Sequence, residues 1–300
     1  AYAQESEIVS CENRASVSFE GPAGYVGGIA GYVSISSIDR CENLGVVTGT
    51  VQPSDNYASC LVYTGGIAGV NQGATIINNS NHAAVAVEAL PEYDSCAGGI
   101  VGYNSGSSVA FIANCYNAAG VRLSGAGFAG GILSYTDNGD VRVANCYNVG
   151  TVSGVPGKSY PIVPILSADS EDCYYLMNCV EGEGSYAGTA LTVDYMKSTA
   201  FAARLNDWSK TNNSSETGRQ TLYWKVEDAE NDGYPVFTDQ DPGYTGVESV
   251  VSGVRIYPTT VSGELFVCGA ESPIYICNLA GHIVSIIDPT EEITVVDMSR

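Results

Sequence analysis

Cysteine is the residue type whose number first suggests chemistry: the 300-residue chain carries ten, together with only two histidines, His82 and His282. A Cys–His or Ser–His–Asp nucleophilic site needs an imidazole as base. His82 lies inside a repeated phrase, where it reads as a corner residue, and His282 lies 200 positions further on. Zinc would need cysteines in tight pairs two to four residues apart. The nearest pairs are Cys173/Cys179 and Cys268/Cys277, and neither has that spacing. Cys268 and Cys277 flank GAESPIYI as in a hairpin, so they are the preferred disulfide, with Cys173/Cys179 second. The most metal-like string is DAENDGYPVFTD, in which Asp228, Glu230 and Asp232 precede Gly233 as oxygen ligands do in a calcium loop. Pro235 and a terminal Asp239 in place of the usual Glu break that pattern, so it reads first as a solvated turn, as does TDNGD at Thr136–Asp140. No catalytic residues, metal or cofactor are expected.

What must position these residues is a repeat. YVGGIAGY (Tyr25–Tyr32), YTGGIAGV (Tyr63–Val70), CAGGIVGY (Cys96–Tyr103) and FAGGILSY (Phe128–Tyr135) alternate with a second phrase. That phrase reads VSCENRASVSFEG, IDRCENLGVVTG, IINNSNHAAVAV, FIANCYNAAGVRLSG and VRVANCYNVGTVSG. The first glycines, Gly27, Gly65, Gly98 and Gly130, are 38, 33 and 32 residues apart. Each phrase is a short apolar or β-branched run bounded by Gly, Asn, Ser or Asp, and no helical stripe is sustained across residues 1–165. The pattern predicts a parallel β-solenoid of about five coils with three strands each, its rungs ~4.8 Å apart. Ile29, Ile67, Ile100 and Ile132 form an internal ladder. Cys11, Cys41, Cys115 and Cys146 form a second, with Ser80 at the Cys position of the third repeat. Asn13, Asn43, Asn117 and Asn148 form an amide ladder, with His82 in place of the third Asn.

The alternation of GGIAG with NCYNxGxVSG over residues 8–155 resembles the GLUG repeat of bacterial surface and secreted proteins. That resemblance implies a right-handed parallel β-helix in an exported protein. KSYPIVPILS (158–167) is expected to close the solenoid, because its prolines cannot donate to a ladder. Residues 168–240 resemble the terminal unit that follows such repeats. They are expected to form a helix over about 194–206 and to cover the solenoid end with Trp208, Trp224, Tyr234 and Phe237. Residues 248–300 resemble, incompletely, the C-terminal sorting domain of type IX secretion substrates, through IYP (256–258), VSGELFV (261–267) and YICNLAGHIV (275–284). This implies a β-sandwich-like module and a place at the bacterial surface, associated with the outer membrane. Thr259 stands where that family has Asn, and its final glycine-tyrosine strand is absent. The first residues, AYAQESEIVSCEN, read as a mature or excised segment.

Composition narrows the function. A net charge of −21 excludes nucleic-acid binding through phosphate contacts and docking on anionic lipid through basic patches. No apolar run is long enough to span a membrane. Residues 1–166 hold 12 acidic and five basic residues without recurring carboxylate pairs, so the expectation is no enzyme. Tyrosines remain: Tyr32, Tyr103 and Tyr135, with Tyr116 and Tyr147, recur along the repeats, either as stacks between coils or as a ligand-binding face. The resulting expectation is a monomeric, exported, adhesin-like module for host or extracellular glycans or glycoproteins. The alternatives are a non-catalytic region of a larger secreted protease or glycosidase, and a carbohydrate-active β-helix enzyme.

Overall fold

The computed structural model describes residues 2–297 apart from 57–58, 107–108, 138–140, 165–168, 182–185, 214–219, 228, 243–246, 252–253, 258–263, 271–273, 278–282 and 290–292. The chain divides into two compact units. One comprises Ala1–Val193 with Trp208–Leu222, the other Asp194–Asp207 with Tyr223–Arg300.

The first unit is a parallel β-solenoid. Its opening coil runs through five short strands, Tyr2–Gln4, Glu7–Val9, Glu12–Asn13, Val17–Gly21 and Ala23–Gly27, which begin sheets A to E in that order. Each later coil adds a parallel strand to each sheet in register, as Tyr32 on Tyr2, Ile38 on Ile8, Asn43 on Asn13, Val47 on Val17 and Tyr63 on Tyr25. The expected three strands per coil are therefore five. The extra breaks come from left-handed corners: Ser10, Arg40, Asn78, Asn114, Asn145 and Asp172, all with φ between 47° and 56°, end sheet B and start sheet C. Asn and Asp tolerate that conformation better than other residues with side chains.

The ladders also run past residue 167. Ser159–Tyr160 joins sheet E, Asp169–Glu171 joins sheet B, and Tyr174–Leu176 and Thr189–Leu191 extend sheet C. Ile162 accepts from the amides of Ile132 and Leu133, so the proline-bearing segment continues the isoleucine ladder. The main core joins Ile38, Ile67, Ile76, Ile100, Ile112, Ile132 and Ile162 with Cys41, Cys115, Cys146 and Cys173, and the partly buried Ile29 packs against it. Two smaller clusters lie between sheets D and E, one including Val47 and Val62 and the other Val87 and Leu123.

Register corrects one expectation. Ser80 pairs with Glu42 and Tyr116, so Asn79 holds the cysteine position of the third repeat and Asn81 the asparagine position. His82 replaces nothing in the amide ladder, which runs unbroken: the Nδ2 groups of Asn13, Asn43, Asn81 and Asn117 donate to the Oδ1 of the next asparagine at 2.7–2.8 Å, ending at Asn148.

The two repeated phrases turn out to be halves of one contact. A Cβ on the second glycine of each pair, Gly28, Gly66, Gly99 or Gly131, would come within 2.4–2.6 Å of the carboxamide of Asn43, Asn81, Asn117 or Asn148. A Cβ on the first glycine would strike the carbonyl oxygen three residues ahead at 1.8–2.1 Å. Glycine is required at both positions by close approach.

A second carboxamide column lies on the left-handed corners. Asn145 donates to Asn114, Asn114 to Asn78, and Asn78 to Asp39, at 2.7–2.8 Å. The segment Trp208–Leu222 is fastened along this column. Asn78 accepts from the Leu222 amide at 2.9 Å, and Asn114 donates to the Leu222 carbonyl at 3.0 Å. Trp208 packs on Ile77, Ala113 and Ala144 of three successive coils. It therefore covers the solenoid's flank, where the sequence suggested its end.

In the second unit, the expected helix is a turn, Val193–Met196, followed by Thr199–Asn212, whose last residues belong to the first unit. Trp224 and Phe237 face each other across the antiparallel pair Tyr223–Lys225 and Val236–Thr238, and the Asn206 carboxamide brackets the Trp224 backbone. Beyond them an antiparallel sheet (Val247–Val251, Val254–Tyr257, Glu264–Cys268, Ile293–Asp297) and a two-stranded ladder (Ile274–Cys277 with Ile283–Ile287) make up the C-terminal β module.

Candidate binding surface

Where sheets E and A meet, the GGIxG turn places the residue before it and the residue after it on the same outward side. In sheet A the outward position reads Tyr2, Tyr32, Val70, Tyr103, Tyr135. In sheet E it reads Tyr25, Tyr63, Cys96, Phe128. The sheets come close because sheet A carries glycine beside this position: a Cβ on Gly69 would meet the Val26 backbone at 2.6 Å. In the fourth phrase Ser134 replaces that glycine and donates to the Phe128 carbonyl at 2.7 Å, so the exception keeps the contact by hydrogen bonding.

The rings join into one continuous stripe. Centroid separations are 5.2 Å for Tyr2/Tyr32, 5.6 Å for Tyr32/Tyr25, 5.8 Å for Tyr25/Tyr63 and 4.3 Å for Tyr63/Tyr103. They are 6.0 Å for Tyr103/Tyr135 and 4.4 Å for Tyr135/Phe128. Tyr63 and Tyr103 cross from one sheet to the other over the small side chains Val70 and Cys96, both of which are buried. The Lys158 ammonium lies 4.6 Å over the Phe128 ring, held by Asp94 at 3.0 Å. The structure thus brings Tyr32, Tyr103 and Tyr135 together and adds Tyr2, Tyr25, Tyr63 and Phe128, which sequence reasoning missed. The signal was present in the first residue of each GGIxG phrase. Tyr116 and Tyr147 belong elsewhere, in sheet C, where they stack on each other at 5.0 Å.

All the stacked pairs lie within 21° of parallel, and only Tyr25/Tyr32 is tilted, at 36°. Most ring faces are therefore spent on neighbouring rings. Burial holds the Tyr32 and Tyr103 phenols above their ordinary range and pushes Tyr63 up to about 12. All three are neutral at physiological pH. The Tyr32 hydroxyl donates to Gln72 Oε1 at 2.6 Å, and Asp137 accepts from Tyr103.

Other candidate groups are dispersed. Glu230 faces Lys225 at 3.9 Å and Asp232 pairs with Lys197 at 2.8 Å, so the two point at different cations, and Asp228 lies outside the described residues. Asn138–Asp140 and His282 also lie outside them. Among the described residues no group of three His, Cys, Asp or Glu side chains is placed to hold a metal. Cys173 and Cys179 are separate thiols, donating to the Glu171 carbonyl and accepting from Asn148 respectively, which corrects their suggested pairing. Cys268 is buried with its Sγ 3.9 Å from the Tyr195 hydroxyl, and the side chain of Cys277 lies outside the described residues. His82 Nε2 meets Glu42 at 3.1 Å and the Tyr116 hydroxyl at 3.0 Å, an arrangement spanning three coils. No described helix is long and apolar enough to cross a membrane.

No family model and no curated protein matches the chain. Among solved structures it is similar to a crystal structure described as "a putative immunoglobulin A1 protease from Bacteroides ovatus". The TM-score is 0.51 with 20% identity, over 79% of this chain and 75% of that one. At that identity the likeness concerns the fold.

Proposed function

We propose that the protein is an exported cell-surface module that binds glycans or glycoproteins and has no catalytic role. The observation that carries this reading is the aromatic stripe: seven rings, with Tyr2 and Tyr25 exposed and the other five partly buried, stand in one line along the solenoid, and tyrosine supplies large contact area at low entropic cost. The GLUG-like repeats and the sorting-like C-terminal module support the surface location. The test is retention of the purified chain on immobilised mucin and extracellular-matrix glycoproteins, with turnover measured on protease and polysaccharide panels. Retention without turnover is expected. Turnover abolished by changing one carboxylate, or no retention on any surface, overturns the reading.

One observation favours a second reading, that the chain is a non-catalytic region of a larger secreted protease. The chain's likeness in fold to the structure described as "a putative immunoglobulin A1 protease" supports it. The gene's full reading frame tests this, through the presence or absence of a separate catalytic domain.

A further inference from the structure

The cysteine column changes character at its first rung. Cys41, Cys115, Cys146 and Cys173 are at most 2% exposed, whereas Cys11 is exposed. Sheets B and C start at the coil that carries Cys11, so among the described residues this thiol is the terminal one of the column. Its backbone is locked beside that of Cys41. Each cysteine follows a left-handed corner, Ser10 or Arg40. The Ser10 amide donates to the Asp39 carbonyl at 3.0 Å, and the Glu42 amide to the Cys11 carbonyl at 2.9 Å. Glu12 and Asn13 then pair in register with Glu42 and Asn43. Both thiols donate to the carbonyl two residues back, Val9 or Asp39, so they point the same way. The Cys41 sulfur also leans towards the first coil: it accepts from the Cys11 amide at 3.4 Å and lies 3.7 Å from the Ile8 carbonyl oxygen.

A disulfide joins residues whose Cα atoms are about 4.4–6.8 Å apart, and in-register rungs at ~4.8 Å meet that condition. The Cβ atoms must close to about 3.5–4.5 Å, so one coil has to shift by roughly a few tenths of an ångström. Around Cys115, Cys146 and Cys173 the close-packed core resists such a shift. The first coil has a ladder neighbour on one side only and can yield. It also holds the one thiol of the column that a dissolved oxidant meets directly. We propose that Cys11 and Cys41 are an oxidisable pair, which a small-molecule disulfide converts into a bond stapling the first coil to the second.

The exchange takes two steps. Cys11 gives its proton to solvent, and its thiolate attacks one sulfur of the small disulfide. That S–S bond breaks, a mixed disulfide forms on Cys11, and one thiolate leaves with the electron pair and is protonated by water. Cys41 then loses its proton to solvent and attacks the Cys11 sulfur, releasing the second thiolate. Two protein thiols are oxidised and one small disulfide is reduced to two thiols. The hydrogen bond from the Cys11 amide favours the Cys41 thiolate, against the burial that disfavours it. The bond links residues 30 apart in sequence and ties down the coil with the fewest neighbours.

The test incubates the reduced full chain with oxidised glutathione at pH 8, quenches it with acid, and alkylates the remaining thiols with N-ethylmaleimide in denaturant. Peptide mass mapping is expected to show the Cys11 and Cys41 peptides joined and two hydrogens lighter, with Cys115, Cys146 and Cys173 alkylated. The melting temperature should rise by several degrees and return on reduction with dithiothreitol. Cys41→Ser should stop at the mixed disulfide of Cys11 with glutathione, without that rise. Cys11→Ser, a change at an exposed position, should fold and leave Cys41 alkylated. Glutathione on Cys11 with Cys41 still alkylated in the unaltered chain, an unmodified Cys11, or a Cys11–Cys11 dimer on a non-reducing gel overturns the proposal. So does a Cys115–Cys146 bond formed as readily, or a Cys11–Cys41 bond that leaves the melting temperature unchanged.

Discussion

Asn117→Ala should be among the most destabilising single changes in the solenoid, because it interrupts the amide ladder at its buried middle. Asn117 is fully buried; it accepts from Asn81 at 2.7 Å and donates to Asn148 Oδ1 and the Ala119 carbonyl at 2.8 Å each. Truncation strands one N–H of Asn81 and the Ala119 carbonyl, and leaves Asn148 Oδ1 only its 3.2 Å bond from the Gly150 amide. At about 1–3 kcal/mol per stranded buried group the expected cost is about 3–5 kcal/mol. Asn13→Ala removes an equivalent carboxamide from the first coil, where water replaces the lost partners, and should cost about 1 kcal/mol or less. Asn117→Asp separates hydrogen bonding from volume. It keeps the size but presents lone pairs and a buried charge to two acceptors, so it should cost more than Ala. Urea unfolding followed by circular dichroism gives the three values, and hydrogen exchange at Ala119 and Gly150 shows whether the loss is local. Equal costs for Asn117→Ala and Asn13→Ala would refute the ladder argument.

Gly99→Ala places a Cβ 2.0 Å from the Gly131 carbonyl and should cost about 3 kcal/mol or more. Gly157→Ala, with open space but φ +76°, should cost about 1–2 kcal/mol, and the two melting temperatures decide. Burial raises the thiols of Cys41 and Cys179 to about 11 and of Cys96 to about 12, whereas Cys11 is exposed. Iodoacetamide at pH 8 should therefore label Cys11 first, as read by peptide mass spectrometry, and early labelling of Cys96 would contradict the packing. The His82 hydrogen bond holds Glu42 below the usual carboxylate range. A depressed carboxylate contributes stability above its unfolded value and loses it as pH falls through the folded one. His82→Ala should return Glu42 towards the ordinary range and reduce the acid sensitivity of the melting temperature, as followed by NMR titration.

Much of the architecture was legible because solenoid coils repeat their constraints. The GG pairs, the isoleucines and most of the Cys-x-Asn positions marked true ladder rungs. The third repeat was misread because IINNSNHAA holds three asparagines in four residues, and alignment by letter put Ser80 on the cysteines. Backbone register put Asn79 there, where its carboxamide donates to the Ile77 carbonyl as the thiols of Cys115 and Cys146 do to theirs. A short amide can mimic a thiol's hydrogen bond inside the core, and no spacing rule encodes that. The flank strap was illegible for a related reason. Trp208–Leu222 is fixed by backbone and carboxamide bonds to residues 78, 114 and 145, far away in sequence.

The stripe shows why half of the candidate site was visible and half was not. Tyr32, Tyr103 and Tyr135 share one strand position, so period alone relates them. Tyr25, Tyr63 and Phe128 occupy a second position, seven residues earlier in each phrase, and only the tight GGIxG reversal brings the two columns side by side. That reversal depends on glycines that the amide ladder itself demands: Gly28 is glycine because Asn43 fills its side-chain space. The packing rule that closes each coil therefore also aligns the aromatic columns. Substitutions that spare the fold would keep the two columns adjacent and change only the side chains they display, and Val70 and Cys96 already stand in those columns without a ring. The stripe's chemistry is thus free to vary at fixed geometry, the condition under which a binding surface is tuned without rebuilding its scaffold.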